Sequence, residues 1–349
     1  MIRRDSYRAM YNAAGEMMSC RHITDLAKLL ETPRHKLSLY ALSPRYSTFS
    51  LPKSDGSKRI IEAPEPQLMS LLKKVNYYLQ CTYYFVMPRA AYGYIATPRN
   101  EKQPRNIVTH AKRHIDCVYL INADFEDFFH QINDHRVFTI FFNPPFNLGK
   151  KAAELLSRLC TWLGRLPMGS PTSPVLSNFA TITLDESLTE CAKNKNITYT
   201  RYVDNLTFSS QQPFHNSFFD HVKLICDDFG FVFNEKKTIL FDHTDTKIVT
   251  GLEVSSRVEI PEALFYELSQ DMKRLRRVME ANYLMEGARV APLAKKMQQQ
   301  VEGKLNFLQM VYGKNNKKHL KYQEEYEEAL SPKISSQSLR WTHVPYFSE

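Results

Sequence analysis

Two aspartates stand at the ends of strand-like segments and could do chemistry together. Asp124 closes the compact apolar run VYLINAD (118–124), and Asp204 sits within ITYTRYVDNLTFSS (197–210), whose Thr-, Tyr- and Val-rich arms read as a β-hairpin turning at Asp204-Asn205. Mixed helical segments separate them, beginning with EDFFHQINDHRVFTIFF, so the fold can bring the two strands side by side and converge the acids. Converged hard oxygen ligands suit Mg²⁺. Two such ions a few ångströms apart can activate a 3′-hydroxyl and stabilise a departing pyrophosphate, which is the geometry of nucleotidyl transfer. Read alone, the same residues also fit a strand-end cap and a plain turn.

The elements that would position these acids can be read around them. The first 45 residues are helical in pattern, with Thr32-Pro33 as N-cap and first-turn proline. From Tyr46, two short strands flank a turn at Lys53-Ser54-Asp55-Gly56, and Lys58 and Arg59 open the second strand. A third strand is expected over KIVTGLEVS (247–255). Beyond Glu259 the chain turns helical: Leu264, Leu268, Met272, Leu275 and Met279 make one apolar stripe, with Lys273, Arg274, Arg276 and Arg277 largely on other faces. A second helix carries Leu293, Met297, Val301, Leu305 and Leu308. The tail from Ser331 loses helical periodicity.

Composition narrows the partners. The 349 residues are enough for two or three lobes, and the 43% hydrophobic content supports a core without disulfide or metal staples. The 46 Lys and Arg outnumber 37 acids, and a formal charge of +9 favours phosphate-rich partners through counterion release. Six cysteines without a C-x-x-C pair read as core thiols of a reducing compartment. No apolar run approaches 18 residues, and no h-region follows the N-terminal charges, so a cytosolic protein without a membrane partner is expected. His110 and His114 are spaced i to i+4, yet no companion Glu or third ligand completes a zinc motif.

The words around the acids resemble those of reverse transcriptases, and within them the retron type. NADFEDFF (122–129) resembles the palm motif carrying the first metal-binding aspartate, LPMGSPTSPVLSN (166–178) the PQGxPxSPxLxN motif, and YVDN (202–205) the YxDD motif. GFVFNEKKT (230–238) is similar to the Asn-x-Lys-Lys-Thr segment that follows, and SKRIIEAP (57–64) to the fingers strand that meets the incoming triphosphate. VTG (249–251) is similar to the retron VTG triplet, and HAKRH (110–114) stands where retrons carry NAxxH, with His110 in place of Asn. The likeness covers about residues 40 to 310.

The resemblance implies an α+β right-hand polymerase: a helical N-terminal extension (1–45), fingers (46–115), palm (116–258, with a fingers insertion about 140–165), helical thumb (259–330) and C-terminal tail (331–349). It implies an RNA-directed DNA polymerase using two Mg²⁺ ions, with Mn²⁺ as an alternative. Asp124 and Asp204 would be metal ligands together with the carbonyl of Phe125, and Asn205 would occupy the place of the usual second Asp. Lys53, Lys58 and Arg59 would hold the triphosphate, Arg59 bidentately. Phe129 would clash with a ribose 2′-hydroxyl, and Gly169, lacking a Cβ, would let the backbone approach a base pair. Lys236 or Lys237 would neutralise phosphate or protonate the leaving group.

RNA contacts are implied for His110, Ala111, His114, Val249, Thr250 and Gly251, and for the thumb cations Lys273, Arg274, Arg277, Lys317 and Lys318. Met168 departs from the usual Gln, which points to shape rather than hydrogen bonding in positioning the template. Implied partners are dNTPs, a cognate structured noncoding RNA and its DNA product, a same-operon effector protein, and host ribonuclease H. An abortive-infection-type reverse transcriptase and an RNA-binding scaffold restraining an effector are the alternatives.

Overall fold

The computed structural model describes residues 5–52, 56–284 and 292–331. It begins with three helices, α1 (Tyr7–Ser19), α2 (Ile23–Leu29) and α3 (Arg34–Leu42). Ser6 caps α1 by accepting from the Ala9 N–H. Pro33 is itself the N-cap of α3 rather than its first-turn residue, one position later than Thr32-Pro33 suggested. Strands β1 (Tyr46–Pro52) and β2 (Lys58–Pro64) then pair antiparallel, Tyr46 opposite Pro64. Lys53 lies outside the described residues.

Helix α4 (Pro66–Val86) follows directly, with proline in its first turn, where a missing N–H costs nothing. Its Leu68, Leu71, Leu72, Val75 and Leu79 recur at helical spacing and are all buried. Next come α5 (Ile107–Ala111), β3 (Tyr119–Asp124), α6 (Asp134–Phe142), α7 (Lys150–Cys160), α8 (Ser173–Ala180) and α9 (Ile182–Lys193). The hairpin strands β4 (Thr198–Tyr202) and β5 (Asn205–Ser210) are followed by α10 (Phe218–Asp228) and β6 (Ile239–Phe241).

Four of these strands make one antiparallel sheet in the order β4-β5-β3-β6. The strand ending in Asp124 is therefore central, and the YVDN hairpin is its neighbour. The helices bury Tyr83, Phe141, Phe146, Leu156 and Leu176 in one continuous core with Phe208 of β5.

KIVTGLEVS is two strands, β7 (Lys247–Val249) and β8 (Leu252–Val254), rather than one. Thr250 and Gly251 break the run, both with positive φ (48° and 79°). A two-residue strand, β9 (Val258–Glu259), leads to helices α11 (Glu262–Leu284), α12 (Pro292–Tyr312) and α13 (Lys317–Leu330).

The chain forms two compact units: the described residues up to Thr250 with Val254–Arg257, and Gly251–Glu253 with those from Val258 onward. In the second unit the three long helices pack pairwise. They bury Leu268, Met272 and Leu275 of α11, and Val301, Leu305 and Leu308 of α12. Leu293 is exposed instead of joining that stripe, and Ala294 is buried in its place. Among the described residues no helix is long and apolar enough to cross a membrane.

Candidate active site

Antiparallel pairing sets Asp124 opposite Asn205 across β3 and β5. The hairpin turn is Val203-Asp204, one residue earlier than the sequence suggests, because Tyr202 already pairs with Asn205. Val203 takes φ +62°, an uncommon conformation for a β-branched residue. Gly93 shares that strained spot, since a Cβ there would lie 2.5 Å from Val203 Cγ2 and 2.7 Å from its backbone nitrogen. The backbone ties the acids together: the Phe125 N–H donates to the Asp204 carbonyl at 3.0 Å, and the Asp124 carbonyl accepts from Asn234 at 2.7 Å. Phe125 itself is buried, its ring stacked on Phe231 and Phe233.

Electrostatics at the pair are unbalanced. Burial first, and then the Asp124 charge, push the Asp204 carboxyl above the usual aspartate range. The Asn205 amide donates to Asp204 Oδ1 at 2.9 Å, an interaction that a second carboxylate would replace with repulsion. Lys237 Nζ lies 3.0 Å from Asp124 Oδ1, whereas no ion pair joins the exposed Lys236 to that carboxylate. Among the described residues no group of three or more His, Cys, Asp and Glu side chains could hold a metal ion. Two carboxylates, an amide and a nearby main-chain carbonyl are a hard-oxygen donor set, and a divalent cation would relieve the repulsion between Asp124 and Asp204.

Sequence reading missed the carboxylate that fastens β2 to this site. Glu62 is buried and receives both arms of Arg165 (2.8 and 3.0 Å), the Met168 N–H (3.0 Å) and His130 Nε2 (3.1 Å). Burial raises its pKa, but these donors outweigh that and hold it below the usual glutamate value. The Glu62 N–H in turn donates to the Met168 carbonyl at 2.7 Å. Met168 thus meets Glu62 through its backbone N–H and carbonyl, which any residue except proline provides.

Gly169 also meets a need within the fold. With φ +144°, a Cβ would meet the Glu62 carbonyl at 2.7 Å and Ile61 Cγ2 at 2.9 Å, so the missing side chain admits β2 itself. Phe129 is half-buried and packs on Phe128, while Lys58 and Arg59 are exposed on β2.

Beneath the hairpin lies a fully buried polar brace. Arg201 and Asp185 pair at 2.7 Å with no exposure. Arg201 also donates to Asn178 Oδ1 at 3.1 Å and to the Val203 carbonyl at 2.8 Å, inside the turn that presents Asp204. Asn178, the last residue of LPMGSPTSPVLSN, donates to the Gly93 carbonyl at 2.9 Å.

His110, Ala111 and His114 are buried, which corrects the expectation that they touch RNA. Both histidine Nε2 atoms bond Thr200 Oγ1, at 2.7 and 2.6 Å; His114 Nδ1 reaches Ser209 and His110 Nδ1 reaches Thr250. Desolvation brings the His110 pKa down to about 3 and pushes that of His114 well below its ordinary value. The two rings are neutral struts between α5, the hairpin and the VTG segment. Val249 is buried as well, and only Thr250 and Gly251 of that triplet reach the surface.

In the second unit, Lys273, Arg274, Arg277, Lys317 and Lys318 are exposed, and Lys318 also pairs with Glu259 at 3.0 Å.

The decisive comparison is with a family: residues 51–256, more than half the chain, match reverse transcriptase (RNA-dependent DNA polymerase). The chain belongs to the reverse transcriptase family. Over 246 residues it is 27% identical to the Retron Ec86 reverse transcriptase of Escherichia coli, covering 68% of this chain and 72% of that one. It is 29% identical over 266 residues to the Retron Mx162 reverse transcriptase of Myxococcus xanthus, covering 66% of this chain and 53% of the relative. The match thus spans about half the length of the myxobacterial relative. A loose structural likeness, TM-score 0.42 at 11% identity over 88% of this chain and 68% of the other, links it to telomerase from Candida albicans in complex with a telomeric RNA fragment. As a reverse transcriptase related to retron enzymes, the chain belongs to a family that generally uses divalent metal.

Proposed function

We propose that this reverse transcriptase copies a cognate structured noncoding RNA into DNA, primed from a guanosine 2′-hydroxyl, and leaves branched multicopy single-stranded DNA. The observation that carries the reading is the convergence of Asp124, at the end of β3, with Asp204, in the turn of the neighbouring hairpin, their main chains joined through Phe125, in a chain related to retron enzymes. The product would act in a bacterial anti-phage system with an effector protein of the same operon, and host ribonuclease H would trim the template.

Asp124, Asp204 and the Phe125 carbonyl would hold two Mg²⁺ ions, with Asn205 contributing a neutral oxygen. Bound there, the ions would supply Lewis-acid chemistry for the attacking hydroxyl and the pyrophosphate leaving group. Lys53, Lys58 and Arg59 hold the triphosphate by charge. Lys237, the lysine that reaches Asp124, neutralises charge beside the reacting phosphate and can supply a proton. Phe129 closes the space that a ribose 2′-hydroxyl would fill.

The fingers, palm and thumb are assigned to 46–115, 116–258 and 259–330. The exposed cations of α11 and α13 grip phosphates of the duplex, and Thr250 and Gly251 contact the RNA.

The test is to purify the protein from its native locus and treat the bound nucleic acid separately with ribonuclease, deoxyribonuclease and debranching enzyme. A debranching-sensitive DNA joined to one RNA species, absent from Asp204→Ala, is expected. DNA joined to protein would assign the abortive-infection type instead, and RNA alone in both samples would assign a scaffold.

A further inference from the structure

Phe129, assigned above to the space a ribose 2′-hydroxyl would fill, rides on a single 3₁₀ turn, Phe128–Gln131. Such a turn has few hydrogen bonds of its own. The His130 N–H donates to the Asp127 carbonyl at 2.9 Å, and the Ile132 N–H to the Phe129 carbonyl at 3.2 Å. Asp127, which opens the turn, takes φ +43°, a left-handed conformation that is uncommon outside glycine. Short, weakly bonded and entered through an unusual backbone, the turn depends on ties to its surroundings for its direction.

Two side chains directly after Phe129 supply those ties. Gln131 accepts from the Val232 N–H at 2.8 Å and donates to the Val232 carbonyl at 3.2 Å, which fastens the turn to the segment that follows α10. His130 works towards β2. Its Nδ1 stands 2.6 Å from Asp127 Oδ2 and its Nε2 stands 3.1 Å from Glu62 Oε2, and carboxylate oxygens accept, so the ring is placed to donate to both.

The far end of this bridge is rigid. Glu62 is buried and already receives both arms of Arg165 and the Met168 N–H. It therefore keeps three donors without His130, whereas the turn beneath Phe129 would lose its tie to β2. That strand also carries Lys58 and Arg59, so one imidazole links the turn that presents Phe129 to the strand that would hold the triphosphate.

We propose that His130 is a positioning residue for sugar selection: by bridging Asp127 to Glu62 it fixes the turn that aims Phe129, and rejection of a ribose 2′-hydroxyl depends on it. The inference rests on the RNA-copying function proposed above, with Phe129 as the sugar-facing group.

The test measures kcat/KM for one dNTP and its matching rNTP, as the full chain extends a DNA primer on an RNA template. His130→Ala is expected to raise kcat/KM for the rNTP about tenfold while that for the dNTP stays within about threefold, a gain that loss of folded protein cannot produce. His130→Gln, which keeps a donor for Glu62, should recover part of the lost selectivity. Asp127→Asn, a change at a half-exposed side chain, should shift the ratio the same way by a smaller factor. Phe129→Ala should lose more selectivity than His130→Ala, and adding His130→Ala to it should lose no more, because the two act through one group. A dNTP-to-rNTP ratio unchanged in His130→Ala, or losses that multiply in the double variant, overturns the inference and leaves Phe129 in place. A ratio unchanged in Phe129→Ala overturns the assignment of Phe129 and the inference with it. Absence of any extension by the wild type overturns the RNA-copying function itself.

Discussion

Removing the counter-charge of Arg201 should cost more stability than removing the whole ion pair. Among the described residues Arg201 is the largest fully buried side chain, and its guanidinium makes four bonds: two to Asp185, one to Asn178 and one to the Val203 carbonyl. Asp185→Leu deletes two of the four and leaves a desolvated cation. Breaking a buried pair from one side costs about 3–5 kcal/mol. The Tyr199 hydroxyl, which donates to Asp185 at 2.8 Å, loses its acceptor as well, at about 1 kcal/mol.

The double variant Asp185→Leu/Arg201→Met removes both charges, a change that is often near neutral. It should therefore be more stable than Asp185→Leu by about 2 kcal/mol or more, a coupling resolvable by urea unfolding of the four proteins of the cycle. Having lost the Val203 bond, the double variant should fold yet extend a primer at least about tenfold more slowly, since small displacements of a catalytic group are costly. A cost below about 1 kcal/mol for Asp185→Leu, or a double variant as unstable as the two singles combined, would refute the brace.

Three further outcomes follow from the same geometry. His110 and His114 are neutral when folded and regain an ordinary pKa near 6.5 when unfolded, so their contribution is complete above pH 6.5 and is lost as pH falls towards their depressed folded values. Each adds a slope of up to about 1.4 kcal/mol per pH unit below 6.5, and His114→Gln should remove one such increment from urea midpoints taken at pH 7.5, 6.5 and 5.5; parallel pH profiles would contradict this. Gly169→Ala should destabilise by about 3 kcal/mol through strain and overlap with Glu62, whereas Gly164→Ala, with φ +75° and nothing within 4 Å, should cost only the strain; equal thermal shifts would count against the close approach of β2. Asn205→Asp exchanges a donor to Asp204 for a charge, and should raise the ratio of Mg²⁺- to Mn²⁺-supported extension; an unchanged ratio would remove Asn205 from the metal site.

Local patterns made the site's skeleton legible. VYLINAD reads as a strand ending in an acid because its apolar run is short and bounded, and the Thr and Tyr arms announce the hairpin. The turn residues were misplaced because Asn205 looks like a turn former, yet pairing with β3 keeps it in the strand while Val203 takes the strained conformation. KIVTGLEVS concealed a hairpin because a Thr-Gly turn within an apolar run leaves the alternation nearly intact.

Long-range partners left no such trace. Glu62, Asp185 and Arg201 look like ordinary surface charges until their counterparts, distant in sequence, are brought to them. Gly93 is recognisable only once Val203 lies against it. The histidines of HAKRH showed their helical spacing, but not that Thr200 and Ser209 would enclose them.

The central claim, that Asp124 and Asp204 together carry nucleotidyl transfer, is tested most directly by single-turnover primer extension on an RNA template with Mg²⁺, comparing the wild type with Asp204→Asn. Burial and the Asp124 charge already disfavour the ionised Asp204, so the variant should melt no lower than the wild type in the absence of metal, and a loss of rate cannot be put down to unfolding. The expected result is a folded variant that binds the template-primer as the wild type does and extends it at least about a hundredfold more slowly. Extension within tenfold of the wild-type rate would contradict the assignment.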